Sequence, residues 1–199
     1  DYRRAIRSSN WTCWAQTGSS QQSAHTRFMA SNPRTSVSGA RYPGFTASVC
    51  HLRPESRGSI HLRSADPSQS PSIRVNYLST DEDRRAVVDG LKFLRSIMQA
   101  PAMLDYASEE IEPGLACASN QDLLAYCRAK GSTIYHPSGT CRMGIDPGAV
   151  VSPDLKVKGL SGLRVADGSI MPQLVSGNTN AAIIMIGEKA SDLILGESL

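Results

Sequence analysis

Two stretches in the last third of the chain decide its fold: YHPSGTCRMG at residues 135–144, and DGSIMPQLVSGNTNAAIIMI at residues 167–186. The second stretch predicts the end of a strand, a loop, and a helix that begins at Asn178 or Thr179. This helix is apolar on nearly every side over its first two turns, so we expect other protein to bury it. The first stretch places His136 at the edge of a turn built from small residues.

A hairpin is predicted between these two stretches. Apolar residues alternate with polar ones at 155–157 and again at 163–165, on either side of a glycine-containing turn. The hairpin leads through the second stretch into the final helix, which we expect to reach about Leu195.

Three short strands are predicted upstream, at residues 46–52, 59–63 and 73–77, where apolar and polar residues alternate. Turns rich in proline, serine and aspartate separate them. Strands joined by short turns favour an antiparallel sheet.

The hydrophobic period then changes from two residues to that of a helix. Residues 81–99 are expected to form an amphipathic helix capped by Thr80, and residues 121–130 a shorter helix capped by Asn120. Strands followed by segregated helices are typical of the α+β class. The predicted fold is therefore α+β: an antiparallel sheet with helices on one face, followed by the C-terminal hairpin and helix.

The beginning of the chain differs from the rest in charge. Residues 1–45 hold six arginines and one acidic residue, although the net charge of the whole chain is +3. Residues 1–42 show no sustained hydrophobic period, so we predict an irregular basic segment there. No aromatic residues alternate with the arginines on a regular element, so no nucleic-acid partner is expected.

Cysteine usage and hydropathy exclude further classes. The five cysteines are an odd number without CxxC spacing, which argues against a zinc site and a disulfide framework. We predict no metal, and free thiols of the kind found in a reducing compartment such as the cytoplasm, which is the default localisation. No window reaches the ~18 uninterrupted apolar residues of a membrane span, so no transmembrane segment is expected.

His136 is a candidate general base. Imidazole takes up and releases a proton near neutral pH, and Pro137 fixes the backbone direction behind it. Residues 138–140 are small and leave room for a flat ligand. A positioned imidazole beside space for a ligand suits the removal of a proton from an alcohol. A histidine that only satisfies a turn by hydrogen bonding would explain the same residues. The residues alone leave both interpretations open.

The start of the final helix is a candidate binding site. Asn178 is a natural N-cap, and a helix N-terminus also presents free N–H groups and partial positive charge to an anion. Asn178 could donate to a substrate oxygen while the amides of Thr179 and Asn180 face a cofactor. Asp167-Gly168 could bring backbone close to a polar ligand, although this dipeptide is equally an ordinary turn.

These motifs resemble those of a known family. Residues 135–144 and the continuation at 150–194 closely resemble the C-terminus of the glucose–methanol–choline (GMC) flavoprotein oxidoreductases, most of all the choline and alcohol dehydrogenase branch. The stretch LRPESRGSIHLRSADP at residues 52–67 resembles a substrate-domain strand of the same family. The likeness covers about residues 43–199.

The resemblance implies an FAD-dependent enzyme that oxidises a small-molecule alcohol to an aldehyde or ketone. His136 matches the catalytic histidine that removes the hydroxyl proton while hydride passes to the flavin. Asn178 matches the second active-site position, which is Asn or His in relatives and binds the substrate oxygen.

The resemblance also implies the residues that hold FAD. Asp167 and Gly168 resemble the segment that contacts the ribityl and phosphate region. Thr179 and Asn180 resemble the helix start beneath the flavin pyrimidine.

Two departures from the family shape the expected organisation. The sequence contains no GxGxxG turn for the ADP half of FAD, and residues 1–42 resemble nothing in the family. We therefore expect an irregular segment at 1–42, a substrate-binding domain at 43–147, and a segment at 148–199 that returns to the FAD-binding domain. A C-terminal piece of this kind lacks its N-terminal FAD-binding region and is expected to be inactive alone. The alternative is a truncated, non-catalytic domain without bound FAD.

Overall fold

The computed structural model describes residues 11–13, 22–30 and 44–196, which fall into two compact units. The strands, in chain order, are β1 (Trp11–Cys13), β2 (Gln22–Ala30), β3 (Gly44–His51), β4 (Ser59–His61), β5 (Ser72–Arg74), β6 (Ala107–Glu112) and β7 (Ser132–Thr133). The helices are α1 (Asp81–Met98), α2 (Pro101–Leu104), α3 (Asn120–Lys130) and α4 (Asn180–Leu195), with a 3₁₀ turn at Gly168–Ile170. Within the described residues, the first unit holds 11–13, 22–30, 44–56 and 78–134, and the second holds 57–77 and 135–196.

The first unit is built on an antiparallel sheet with strand order β1-β3-β2-β6, and β7 pairs with the start of β2. Helix α1 packs on β2 and β3, and α3 packs on α1 and β2. This arrangement confirms the α+β class with an antiparallel sheet and helices on one face. The division at residues 43–147 and 148–199 stays a prediction.

The sheet corrects two expectations. The irregular conformation expected for residues 1–42 is wrong for β1 and β2, and the rest of that segment lies outside the described residues. Ala24 and Thr26 are buried two residues apart on one face of β2, so tertiary pairing overrides a weak local pattern. The predicted strands at 46–52, 59–63 and 73–77 also do not share one sheet, because among the described strands β4 and β5 pair only with each other. The sheet gains β6 instead, where no strand is predicted from the sequence.

Helix α1 confirms its prediction. The hydroxyl of Thr80 accepts a hydrogen bond from the N–H of Asp83 at 3.3 Å, which makes Thr80 the N-cap. The buried face includes Val87, Leu91 and Leu94, each at most 1% exposed. Full burial of such side chains contributes about 1.5–3 kcal/mol each, so this face anchors the helix to the sheet.

Helix α3 begins one residue earlier than expected. Its N-cap is Ser119 and not Asn120, because the Ser119 hydroxyl accepts from the N–H of Asp122 at 3.1 Å. The Asp122 carboxylate in turn accepts from the N–H of Ser119 at 3.2 Å. Two N–H groups are satisfied reciprocally, which Asn120 as the cap would not achieve.

A buried carboxylate at the start of α1 holds the segment that follows β3. Asp83 is 3% exposed and accepts hydrogen bonds from the N–H groups of Glu55 and Ser56, both at 2.8 Å. Burial acts to raise the pKa of Asp83, but the bonds from Ser56 and Glu55, together with the nearby His51 imidazole, outweigh it and lower the pKa below 3.8.

The second unit has its own small core. It is formed by Val151, Leu155, Ile170, Met171, Ile186 and Ala190. The predicted hairpin is present only as short pairing, with N–H to O=C hydrogen bonds from Val157 to Leu163 at 3.0 Å and from Val165 to Leu155 at 3.1 Å.

Helix α4 contributes one face to this core and leaves the rest exposed. Ile186 and Ala190 are buried, whereas Ile184 and Met185 are both 59% exposed. The expectation that other protein buries the remaining sides of this helix stays a prediction.

Candidate active site

His136 lies in the second unit, at the start of the loop that the motif predicted. The residue is half-buried, and its Nε2 atom is buried. Tyr135, just before it, has a left-handed backbone with φ of 66°. Gly139, three residues after His136, has φ of 85°, which glycine adopts without a steric penalty.

Backbone hydrogen bonds tie this loop to the turn that precedes α4. Cys141 donates its N–H to the carbonyl oxygen of Ser169 at 3.0 Å, and Met143 donates to that of Ile170 at 2.7 Å. A Cβ at Gly139 would lie 3.3 Å from the carbonyl oxygen of Met171, so the two segments approach closely. The position of the loop is therefore set by the turn at residues 168–171.

An ion pair closes the far end of the loop. The Arg142 guanidinium donates to both carboxylate oxygens of Asp146, at 2.6 and 2.9 Å. This hydrogen bonding is the main cause that lowers the pKa of Asp146 well below 3.8. Asp146 also accepts from the N–H of Gly148 at 3.0 Å, which holds the following turn.

The Asp167-Gly168 segment forms an ordinary turn and approaches α4 as well. The Asp167 carboxylate accepts from the N–H of Ser169 at 2.8 Å and caps the 3₁₀ turn. A Cβ at Gly168 would lie 3.1 Å from the Cδ1 atom of Ile183 on α4, so the absence of a side chain lets the turn pack against the helix. Asp167 itself is exposed.

The first turn of α4 differs from the expectation. The helix begins at Asn180, and the N-cap position is Thr179, so the interpretation of Asn178 as the N-cap is wrong. Thr179 has helical φ and ψ and is 3% exposed, so its side chain packs inward and makes no capping hydrogen bond. Asn178 and Asn180 are both exposed.

The His136 loop, the turn at residues 168–171 and the first turn of α4 are thus connected through direct contacts within one compact unit. The loop that carries His136 bonds to the turn at 168–171, the turn packs on Ile183, and the N–H of Ile183 donates to the carbonyl oxygen of Thr179 at 2.9 Å. The first turn of α4 contains no acidic residue and no side-chain cap. Its positive end therefore suits an electron-rich group.

Two backbone features of this loop were not predicted from the sequence. The positive φ of Gly139 could have been predicted, because a glycine in a small-residue loop often marks such a turn. The positive φ of Tyr135 could not, because tyrosine rarely adopts this conformation.

The described residues also bear on other kinds of site. The side chains of Cys50, Cys117, Cys127 and Cys141 are reduced thiols. Among the described side chains, no three His, Cys, Asp or Glu residues are grouped as a metal ion would need. None of the helices described is long and apolar enough to cross a bilayer.

The sequence assigns this chain to a family. Residues 54–187 match the C-terminal profile of the GMC oxidoreductases, and the chain belongs to that family.

Two curated relatives give the resemblance more detail. Over 152 residues the chain is 50% identical to an alcohol dehydrogenase [acceptor] of Pseudomonas putida, covering 76% of this chain and 28% of the relative. Over 154 residues it is 45% identical to an oxygen-dependent choline dehydrogenase of Escherichia coli, covering 77% of this chain and 27% of the relative. The chain therefore spans little more than a quarter of the length of the relatives it matches.

Solved structures share the fold. Pyridoxine 4-oxidase from Mesorbium loti superposes with a TM-score of 0.82 over 96% of this chain and 44% of that protein, at 24% identity, which supports the fold alone. An FAD-dependent oxidoreductase from Chaetomium thermophilum superposes with a TM-score of 0.73 over 78% of this chain and 27% of that protein, at 31% identity.

Proposed function

We propose that this chain is the C-terminal part of an FAD-dependent oxidoreductase that oxidises an alcohol to an aldehyde or ketone. The observation that carries the proposal is the pair of hydrogen bonds, from Cys141 to Ser169 and from Met143 to Ile170, that fixes the His136 loop beside the turn leading into α4. The names of the relatives support the reaction class, since one acts on alcohols and another on choline.

The residues present fit the flavin end of FAD. Helix α4 has 16 residues, and its first turn lacks both a side-chain cap and an acidic residue. Its N–H groups and positive dipole end can therefore stabilise negative charge near Thr179 and Asn180. Gly168 permits a close backbone approach at the adjoining turn, where Asp167 and Gly168 would hold the ribityl and phosphate region.

His136 and Asn178 take the catalytic roles in this proposal. His136 accepts the hydroxyl proton on its imidazole, and Asn178, exposed ahead of α4, donates to the substrate oxygen as negative charge develops there. FAD, when bound, accepts the hydride that leaves the carbinol carbon. The loop anchored at residues 139–143 keeps the imidazole in place, so the proton moves over a short and constant distance.

The remainder of the FAD site is assigned to protein outside this chain. No GxGxxG turn occurs in the sequence, so the ADP half of FAD needs a region that the relatives possess beyond their match with this chain. The exposed apolar side chains of α4, among them Ile184 and Met185, support such a junction, because a surface of this kind is normally buried in an assembly.

The test uses the flavin-loaded enzyme that contains this chain. Replacement His136→Ala should lower the rate of flavin reduction by an alcohol at least ~10²-fold, as loss of a general base does. His61→Ala is the matched control, because His61 is exposed on β4 and should leave the rate unchanged. A His136→Ala enzyme that reduces its flavin at the wild-type rate would remove His136 from the mechanism. Protein that binds no FAD would favour the non-catalytic alternative.

A further inference from the structure

The segment directly after the His136 loop is held on both of its sides. On one side, Cys141 and Met143 donate their N–H groups to the turn before α4. On the other side, the backbone carbonyl oxygen of Arg142 accepts a hydrogen bond from the N–H of Val150 at 3.0 Å. The position of the His136 loop therefore depends on the second contact as well as on the first.

The chain reaches Val150 through a turn that an ion pair closes. The Arg142 guanidinium donates to both carboxylate oxygens of Asp146, at 2.6 and 2.9 Å. The carboxylate also accepts from the N–H of Gly148 at 3.0 Å, and the backbone carbonyl oxygen of Asp146 accepts from Nζ of Lys158 at 2.6 Å. Three separate groups thus hold Asp146, and its position sets the shape of the turn.

Two glycines leave the space that this ion pair occupies. A Cβ at Gly144 would lie 2.9 Å from Oδ2 of Asp146, and a Cβ at Gly148 would lie 2.8 Å from Nη2 of Arg142. Neither glycine has a positive φ, so backbone conformation does not require glycine at these positions. A larger residue at either position would displace the ion pair, which indicates that the turn is built around it.

Stability does not explain why the turn is built in this way. The side chains of Arg142 and Asp146 are 36% and 49% exposed, and exposed ion pairs usually contribute little to folding. A guanidinium and a carboxylate joined by two hydrogen bonds nevertheless have one preferred mutual orientation. The pair can therefore fix the geometry of the turn without adding much to its stability.

We propose that Arg142 and Asp146 are positioning residues: their ion pair fixes the turn at residues 142–150, and through this turn it holds the His136 imidazole within reach of the substrate hydroxyl. This inference rests on the proposed function, because it assigns His136 the role of base. A general base must lie within hydrogen-bond reach of the proton that it removes, and a displacement of ~1 Å can cost about 10²-fold in rate.

The experiment uses the flavin-loaded enzyme and compares Arg142→Ala, Asp146→Ala and the double variant with Asp146→Asn and Arg142→Lys. Asp154→Ala is the matched control, because it removes an exposed carboxylate of the same unit that pairs with Lys156 at 2.6 Å. The measurements are the limiting rate of flavin reduction per bound flavin and the alcohol concentration that gives half of this rate. A rate per bound flavin counts only folded and loaded enzyme, so a loss of stability alone does not change it.

We expect Arg142→Ala, Asp146→Ala and the double variant each to lower the limiting rate ~10-fold, with the half-saturating concentration nearly unchanged. The losses should coincide and not multiply, because each variant removes the same ion pair. Asp146→Asn should lose about as much, since an amide still accepts from the N–H of Gly148 but cannot form the bidentate charged pair. Arg142→Lys should recover most of the rate, because its ammonium still reaches the carboxylate. The Asp154→Ala control should keep the wild-type rate.

Losses that multiply in the double variant would overturn the inference, because the two residues would then act separately. A wild-type rate in Asp146→Asn would also overturn it and assign the effect to the hydrogen bond from Gly148. If the alanine variants do not fold, Asp146→Asn and Arg142→Lys still decide, because the inference requires a loss in the first and a smaller loss in the second. Failure of the proposed function has a different signature: His136→Ala would then leave flavin reduction unchanged, whatever the Arg142 and Asp146 variants do.

Discussion

The backbone N–H of Cys141 donates to the carbonyl oxygen of Ser169 at 3.0 Å, and this bond couples the His136 loop to the turn before α4. The loop has no helix or strand of its own to hold it in this unit. Its geometry therefore follows from two segments that are distant in sequence and adjacent in space.

The first prediction concerns the close approach at Gly139. Replacement Gly139→Ala should lower the free energy of unfolding by more than the ~1–2 kcal/mol that a left-handed L-residue costs, because its Cβ would also lie 3.3 Å from the carbonyl oxygen of Met171. Gly159→Ala is the control: its φ of 82° is similar, but nothing lies within 4 Å of its Cβ position. Denaturant titration of both variants measures the difference. Equal losses would show that the contact with Met171 carries no energy.

The second prediction separates two candidate caps of α3. Ser119→Ala should cost about 1 kcal/mol, because it removes the acceptor for the N–H of Asp122. Asn120→Ala should be neutral or slightly stabilising, since position 120 lies inside the helix and alanine has the higher helix propensity. Thermal unfolding of the two variants checks the assignment. A larger loss at Asn120 than at Ser119 would contradict the observed cap.

Local patterns predicted the parts of the fold that local forces determine. Helix α1 follows from its periodic apolar residues and from Thr80, which caps it as expected. Helix α3 and helix α4 were also found, each displaced at its start by a residue or two. The displacement at α3 arises because Ser119 and Asn120 are both good caps, and only the reciprocal bond to Asp122 distinguishes them.

Pairing between distant segments was not predictable in the same way. Strand β2 gives a weak pattern and exists because β3 and β6 flank it. The positions of His136, Asn178, Asp167, Gly168, Thr179 and Asn180 along the chain came from motifs, and their roles stay proposals. The motifs could not predict that their segments contact each other. The hydrogen bonds donated by Cys141 and Met143 use backbone atoms, which every residue has, so no residue type marks them in the sequence.

The third prediction is a pH dependence centred on Asp83. Because its pKa in the folded protein lies below 3.8, Asp83 contributes stability at pH values above the pKa of the unfolded chain, and this contribution is lost as the pH falls through the folded pKa. Asp83→Asn should therefore destabilise the protein near neutral pH by about 1.5–3 kcal/mol, the range for hydrogen bonds to a charged group.

The unfolding free energies of the wild type and the Asp83→Asn variant should converge in acid. As the pH falls below about 3.8, the wild type loses the ionised carboxylate and the difference in unfolding free energy from Asp83→Asn should shrink. Asp81→Asn is the control at the same helix end, because the Asp81 carboxylate is exposed and pairs with Arg84 on the same helix. A gap between wild type and Asp83→Asn that stays constant from pH 7 to strong acid would show that the charge of Asp83 is unimportant.

The fourth prediction tests the hydrogen-bond donor ahead of α4. In the flavin-loaded enzyme, Asn178→Ala should lower kcat by about 10²-fold, the cost of one donor to a developing oxyanion. Asn178→Asp should be at least as damaging although it preserves shape, because an ionised carboxylate only accepts hydrogen bonds and repels the developing charge. Asn178→His restores an N–H donor and should recover part of the rate. We therefore expect kcat to decrease in the order Asn, His, Ala, Asp at position 178, because donor capacity falls and negative charge is added along this series. A purely structural role for this exposed residue would instead leave the Asp variant close to the wild type.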